Sequence, residues 1–236
     1  MKSTLLIAVL TLTTTQSVMS QAYAPGDHWY NNPLGFSPVE LHAKNGFIVP
    51  ALAVTACLLL TKRDSALADR ISYYDEAGVS WGYKIPYTTL YQDNAGLMYM
   101  LRKWMAIGLE ISSYFPRDDF NSTAGVGVRP FARFYPVSGD RFKIYFESGA
   151  GIIYFFNNFP EATYADSRTG TLWNGTSKYG IGFEIRVGGS TEIVTGVRHI
   201  HVSNGNIAGV LRNPSHDSNG IFVGIDFTPK KRESTP

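Results

Sequence analysis

His201 and Ser203 stand two residues apart in STEIVTGVRHIHVS, residues 190–203. On an extended strand such a pair projects from one face, with Cα atoms roughly 6.5–7 Å apart. An imidazole can bridge that gap to a hydroxyl and take its proton as the oxygen attacks a carbonyl. A carboxylate that orients the imidazole and stabilises its charged form completes a triad. Asp217 is the candidate acid, because counting by twos puts Asp217, Asn219, Ile221, Val223, Ile225 and Phe227 on one face. Asn204, Asn213 and the amides around Gly205 carry the donor types that line an oxyanion hole. Alone, a His-x-Ser pair is a weak signal. Its weight comes from the element that carries it.

Hydrophobicity along the chain repeats every two residues, the period of a strand with distinct faces. Eight segments carry it: 39–49 (the loosest, with Glu40, His42 and Lys44 on its polar face), 79–85, 104–113, 125–134, 141–156, 178–187, 190–203 and 221–227. In 141–156, Phe142, Ile144, Phe146, Ala150, Ile152, Tyr154 and Phe156 oppose Arg141, Lys143, Tyr145, Glu147, Gly149 and Gly151. In 178–187, Tyr179, Ile181, Phe183, Ile185 and Val187 oppose Lys178, Gly180, Gly182, Glu184 and Arg186. Glycines among paired charges suit the narrow lumen of a small barrel, where large side chains from every strand cannot share the space. The apolar faces then meet lipid. The expected fold is all-β, an eight-stranded antiparallel transmembrane barrel of the outer-membrane type. Its lumen balances Lys84, Arg129, Arg133, Lys143, Arg186 and Arg198 against Glu110, Glu147, Glu184 and Glu192.

Composition agrees. The 236 residues are 44% hydrophobic and 14% aromatic but only 17% charged, below the roughly 25% usual in soluble domains. A net charge of +2 argues against nucleic acid as a partner, and one cysteine excludes a disulfide framework. No His, Cys and carboxylate spacing marks a metal site, so no metal or cofactor is expected. Residues 1–20 read as a signal peptide, with Lys2, the apolar run LLIAVLTLT and a cut after Ser20, leaving 21–236 as one barrel domain. Tight turns at 136–140 and 188–189 alternate with longer polar connections at 51–77, 114–124, 157–176 and 204–218, the periplasmic and extracellular pattern respectively. Residues 87–101 read as an unusually long periplasmic turn. Stretch 51–61, around Cys57, either extends the first strand or forms a short helix at the rim.

On this frame Glu192, Gly196 and Arg198 face the lumen, while His199, His201 and Ser203 face outward, where polar groups are costly. The strand rises toward the extracellular side, so Ser203 lies at outer-leaflet depth. Here the sequence resembles a known family. The run His201-Val-Ser203-Asn204-Gly205, then Asn213-Pro-Ser-His-Asp217-Ser218, is similar to the signature of the PagL-type lipid A 3-O-deacylases. The resemblance covers the C-terminal third by motif and the rest by architecture. It implies an outer-membrane esterase with Ser203 as nucleophile, His201 as base, Asp217 as acid and asparagines Asn204 and Asn213 near the oxyanion. It implies no metal, and lipid A of the outer leaflet as substrate. Two departures stand near the acid: the spacing from Ser203 to Asp217 is longer than usual, and Ser215 takes a position where glycine is usual.

The expectation is therefore hydrolysis of an ester-linked (3-hydroxy)acyl chain of lipid A, with membrane lipid and lipopolysaccharide as partners and a homodimer left open. The alternatives are acyl transfer and a non-enzymatic barrel of structural or adhesin-like kind. His199 and His216 read as rim and loop-surface histidines. Arg168, Lys178 and Arg212 read as loop cations that could meet lipid A phosphates.

Overall fold

A computed structural model of the chain describes residues 43–62, 71–82, 88–119, 121–162 and 166–229. The proposed signal peptide and Lys84 lie outside the described residues. Eight strands close on themselves: β1 (Ile71–Gly82), β2 (Thr89–Arg102), β3 (Met105–Arg117), β4 (Gly125–Ser138), β5 (Phe142–Phe159), β6 (Thr171–Arg186), β7 (Thr191–Ser203) and β8 (His216–Phe227). Each pairs antiparallel with its sequence neighbour, and β8 returns to β1. Closure removes the two free edges that an open sheet would leave in lipid. Tight turns at 103–104, 139–141 and 187–190 lie at one end, and the 204–215 connection at the other.

Strand faces follow the alternation in the sequence. Leu109, Ile111, Phe146, Ile152, Ile181, Phe183, Ile221 and Val223 are exposed on the outer wall, while Arg129, Arg133, Glu110, Glu147, Lys178, Glu184 and Arg198 are buried inside. This is the reverse of a soluble barrel and fits a lipid-facing wall around a filled polar lumen. At the centre, Lys178 Nζ reaches Glu76 at 3.0 Å, Glu110 at 2.8 Å and Glu147 at 2.7 Å. Those carboxylates are also the acids, among the described residues, that cluster closely enough to grip a metal ion. The cation between them is the lysine's own. Around it, Arg129 pairs with Glu110, Arg198 Nη1 with Glu76 at 2.8 Å, and Arg133 Nε with Glu147 at 2.6 Å. Lys143 joins Glu184 and Glu192 at 2.9 and 2.6 Å nearer the tight-turn end. The lumen glycines make room for aromatic rings: a Cβ on Gly182 would lie 2.2 Å from Tyr145 Cζ, and one on Gly108 equally close to Phe131 Cζ.

Four expectations fail at the N-terminal side. Residues 43–49 of the expected first strand are helical, and 39–42 lie outside the described residues. Helix α1 (Ala43–Leu60) occupies most of that stretch and continues through the unexplained 51–61. The alternation of Glu40, His42 and Lys44 mimicked a strand, whereas the following run is apolar on every side, as suits a helix in an apolar medium. Neither option for 51–61 was right in full, since the helix lies along the outer wall rather than capping the rim. Gly46 brings its start onto β5 and β6, where an added Cβ would meet Ser177 Cβ at 3.0 Å and Ala150 Cβ at 3.3 Å. Its other end buries Cys57 against Leu101 and Met105 beside the tight β2–β3 turn. There Arg102 holds the Thr61 carbonyl at 2.7 Å. No described helix is long and apolar enough to cross a membrane alone.

Residues 87–101 are not a turn but form most of β2, and the loop expected over 51–77 contains the end of α1 and the start of β1. Gln92, Asn94 and Gly96 obscured β2 as polar and turn-forming residues, yet Gln92 and Asn94 face the lumen and are buried. Glu76, which fell inside the loop expected over 51–77, was likewise absent from the expected lumen charges. Lys178, expected also as a loop cation, is a lumen charge.

Candidate functional site

Strand β7 carries His199, His201 and Ser203 outward, and its register with β8 decides their partners. His201 sits directly opposite Asp217, and His199 opposite Asn219. Because register rather than loop length fixes these pairs, the longer spacing between Ser203 and Asp217 is taken up in the connection. His201 Nδ1 lies 2.7 Å from Asp217 Oδ1. A carboxylate accepts only, so Nδ1 carries the proton and the basic lone pair is on Nε2, the nitrogen a nucleophile must use. Asp217 is fully buried and His201 is 6% exposed.

Ser203 is the last residue of β7 and half-buried. Its hydroxyl donates to Asn213 Oδ1 at 3.0 Å and accepts from the Gly205 N–H at 3.1 Å. The single hydroxyl proton is therefore directed at Asn213, not at His201. Asn213 Oδ1 also accepts from the Asn204 N–H at 3.2 Å, and its Nδ2 donates to Asn206 at 2.8 Å. Asn204 spends its side-chain donors on Thr171 Oγ1 and the Arg212 carbonyl, at 3.1 and 2.6 Å. The structure thus gathers Ser203, Asn204, Gly205 and Asn213 into one hydrogen-bonded corner and His201 with Asp217 into an adjoining pair.

The 204–215 connection that forms this corner is tied down by the cations expected to be free. Arg212 Nη2 donates to the Gly170 carbonyl at 2.8 Å, and Arg168 Nη1 reaches the Asn213 carbonyl at 3.4 Å. Arg168 is braced by Asp166 at 2.6 Å, and its hydrogen bonds hold the Asp166 carboxyl below the usual carboxylate range. Gly205, Asn206, Gly209 and Ser215 have φ of 64°, 64°, 89° and 56°. Ser215 therefore adopts the left-handed conformation that glycine takes without strain.

His216 is not on a loop surface: it is the first residue of β8, turned inward, fully buried and packed on Phe159 at 5.3 Å. His199 is no rim residue either. It is 3% exposed and lies 3.3 Å from the same acid as His201, with Asn219 and Tyr179 around it. Sequence reasoning put His199 and Asn219 on the right face but gave them no part in the cluster. The signal was present in their register, since outward polar residues at matching heights on adjacent strands meet.

No curated protein matches the chain. Among solved structures, the outer membrane enzyme PagL is 18% identical with a TM-score of 0.48, covering 64% of this chain and 97% of that one. Neisserial surface protein A is 8% identical with a TM-score of 0.47, covering 67% and 96%. The N-terminal β-barrel domain of Pseudomonas aeruginosa OprF is 15% identical with a TM-score of 0.40, covering 66% and 97%. Residues 70–226, from the base of β1 to the end of β8 and excluding α1, match the family model for PagL, lipid A 3-O-deacylase. The chain belongs to the lipid A 3-O-deacylase (PagL) family.

Proposed function

We propose that this protein is an outer-membrane serine esterase that removes an ester-linked 3-hydroxyacyl chain from lipid A. Family membership supplies the substrate class. The observation that carries the mechanism is the β7–β8 register, which pairs His201 with a buried carboxylate on the outward face, two residues from Ser203. Buried polar groups on a wall otherwise apolar are costly unless they interlock and serve a purpose.

In the reaction the Ser203 proton leaves Asn213 for His201 Nε2 as Oγ attacks the acyl carbonyl. The imidazolium that forms is stabilised by Asp217. The Gly205 N–H already points at Oγ and can turn to the carbonyl oxygen bound beside it as that oxygen becomes negative. Asn213 Nδ2 gives one N–H to Asn206, and its second N–H can turn to the oxyanion once Oδ1 gives up the serine proton, so the two supply an oxyanion hole when the substrate arrives rather than before. Collapse expels the sugar hydroxyl with the proton from His201. Water, deprotonated by the same nitrogen, then releases the fatty acid. The groups involved all belong to the protein. In this reading the long connections lie on the extracellular side with Ser203 at outer-leaflet depth, as short periplasmic and long outer connections suggest, and residues 1–20 are a signal peptide that directs export.

Mass spectrometry of lipid A from cells expressing the parent, Ser203→Ala and His201→Ala, folded to equal levels, tests this. The parent removes one hydroxyacyl mass and both variants leave lipid A intact. Unchanged lipid A with the folded parent, in cells and again in detergent, would favour the non-enzymatic barrel. Added acyl mass would mean transfer.

A further inference from the structure

The face that carries His201 and Asp217 holds a second imidazole. His199 Nε2 approaches Asp217 Oδ1 at 3.3 Å, the same oxygen that His201 Nδ1 meets at 2.7 Å. The other ring nitrogen, Nδ1, lies 3.0 Å from Asn219 Oδ1 across the strand pair. The Tyr179 ring of β6 packs on the imidazole, centroids 4.7 Å apart. A histidine serving only as a membrane anchor would point its polar edge along the wall toward the headgroups. This one is turned sideways, along the sheet, onto the acid.

We propose that His199 is a positioning residue for the esterase, fixing the Asp217 carboxylate so that Oδ1 stays in line with His201 Nδ1. The inference rests on the Ser203–His201 reading above. The χ2 torsion of an aspartate is broad, so a carboxylate with one partner can rotate and offer either oxygen. The edge of a second ring packed 3.3 Å from the same oxygen limits that freedom, and Asn219 together with Tyr179 holds the ring in place. Asn219, His199, Asp217 and His201 thus form one chain of contacts that ends at the base.

The test compares the parent, His199→Ala, His199→Gln, Ser203→Ala, Asp217→Ala and the double variant His199→Ala/Asp217→Ala, each folded in detergent and assayed on purified lipid A. Mobility of the unheated barrel on gels reports folding. His199→Ala lowers kcat about tenfold, within the range that a small misplacement of a catalytic group costs, and leaves KM within about twofold. Glutamine, whose side-chain nitrogen can stand where the imidazole Nε2 stood, restores most of the rate. In the Asp217→Ala background the His199 change has no further effect, because its route to the base is already gone. Parental kcat in folded His199→Ala, a loss that glutamine does not restore, a change in KM alone, or an equal loss without Asp217 would each overturn the proposal. Those outcomes with Ser203→Ala inactive would leave the esterase reading standing. A parent whose activity survives Ser203→Ala would overturn both.

Discussion

Two polar networks lie back to back across the barrel wall, and they are built differently. The lumen network is built of interlocked permanent charges: Lys178 is shared by three carboxylates, and Arg129, Arg133 and Arg198 each pair with one of them. The network on the outer face of β7 and β8 has a single buried carboxylate, two imidazoles and a serine hydroxyl parked on an amide. Burial alone therefore does not mark function in this molecule. An interlocked network of permanent charges holds one geometry, whereas imidazoles and a hydroxyl beside one acid can pass a proton without stranding a charge. The outward network can change its protonation, and the inward one cannot without leaving a charge unpaired.

The comparison is broken most forcefully from the inside. Lys178→Met leaves Glu76, Glu110 and Glu147 converging without the cation between them, and removing one partner of a buried ion network costs about 3–5 kcal/mol. The expected result is a barrel that folds poorly in detergent, seen as lost heat-modifiable mobility and a lower urea midpoint. His201→Ala, which truncates an imidazole on the outer face of the adjacent strand, should leave that mobility intact while abolishing deacylation. Equal damage from both would mean that the site is scaffold, and the distinction between the networks would fall.

A smaller effect sharpens the point about space. Gly182→Val drives a side chain into the Tyr145 ring and should cost about 1–3 kcal/mol, the usual range for overpacking. Gly188, in a tight turn with open space around its Cβ direction, should accept alanine with little change by the same unfolding measurement.

How far this was legible in the sequence follows from the same contrast. Segments with clean alternation of large apolar residues against Gly, Glu and Arg gave faces that the structure keeps: Glu110, Arg129, Arg133, Glu147 and Glu184 are inside. Strand β2 was missed because its lumen face carries Gln92 and Asn94 rather than charges, and its composition resembles a turn. Helix α1 was seen only as one of two options for 51–61, because a period needs a polar side to be seen and a helix in lipid against a wall has none. At the site, the outward face of His201, Ser203 and Asp217 could be read by counting. Which residues touch could not, because that depends on the pairing register: it sets His201 against Asp217 and His199 against Asn219. The serine's actual partner, Asn213, lies on a connection whose course depends on four left-handed residues and two arginines, none of which has a periodic signature.

That connection offers the finest distinction between a strand-borne and a loop-borne part of the site. Ser215 has φ 56°, and it sits between Asn213 and the start of β8. Left-handed conformations cost a non-glycine residue roughly 1–2 kcal/mol, while glycine adds about 0.5–1 kcal/mol of chain entropy to be lost on folding. Ser215→Gly should therefore stabilise the barrel by only about 0.5 kcal/mol on balance and leave kcat near the parental value. Ser215→Val places a branched side chain at the same angle. It should shift Asn213 away from Ser203, lowering activity severalfold, while the His201–Asp217 pair, held by strand register, stays in place. If valine instead left activity unchanged, Asn213 would be a resting place for the serine proton and not a contributor to the oxyanion hole. The donor role would then fall to the Gly205 N–H alone.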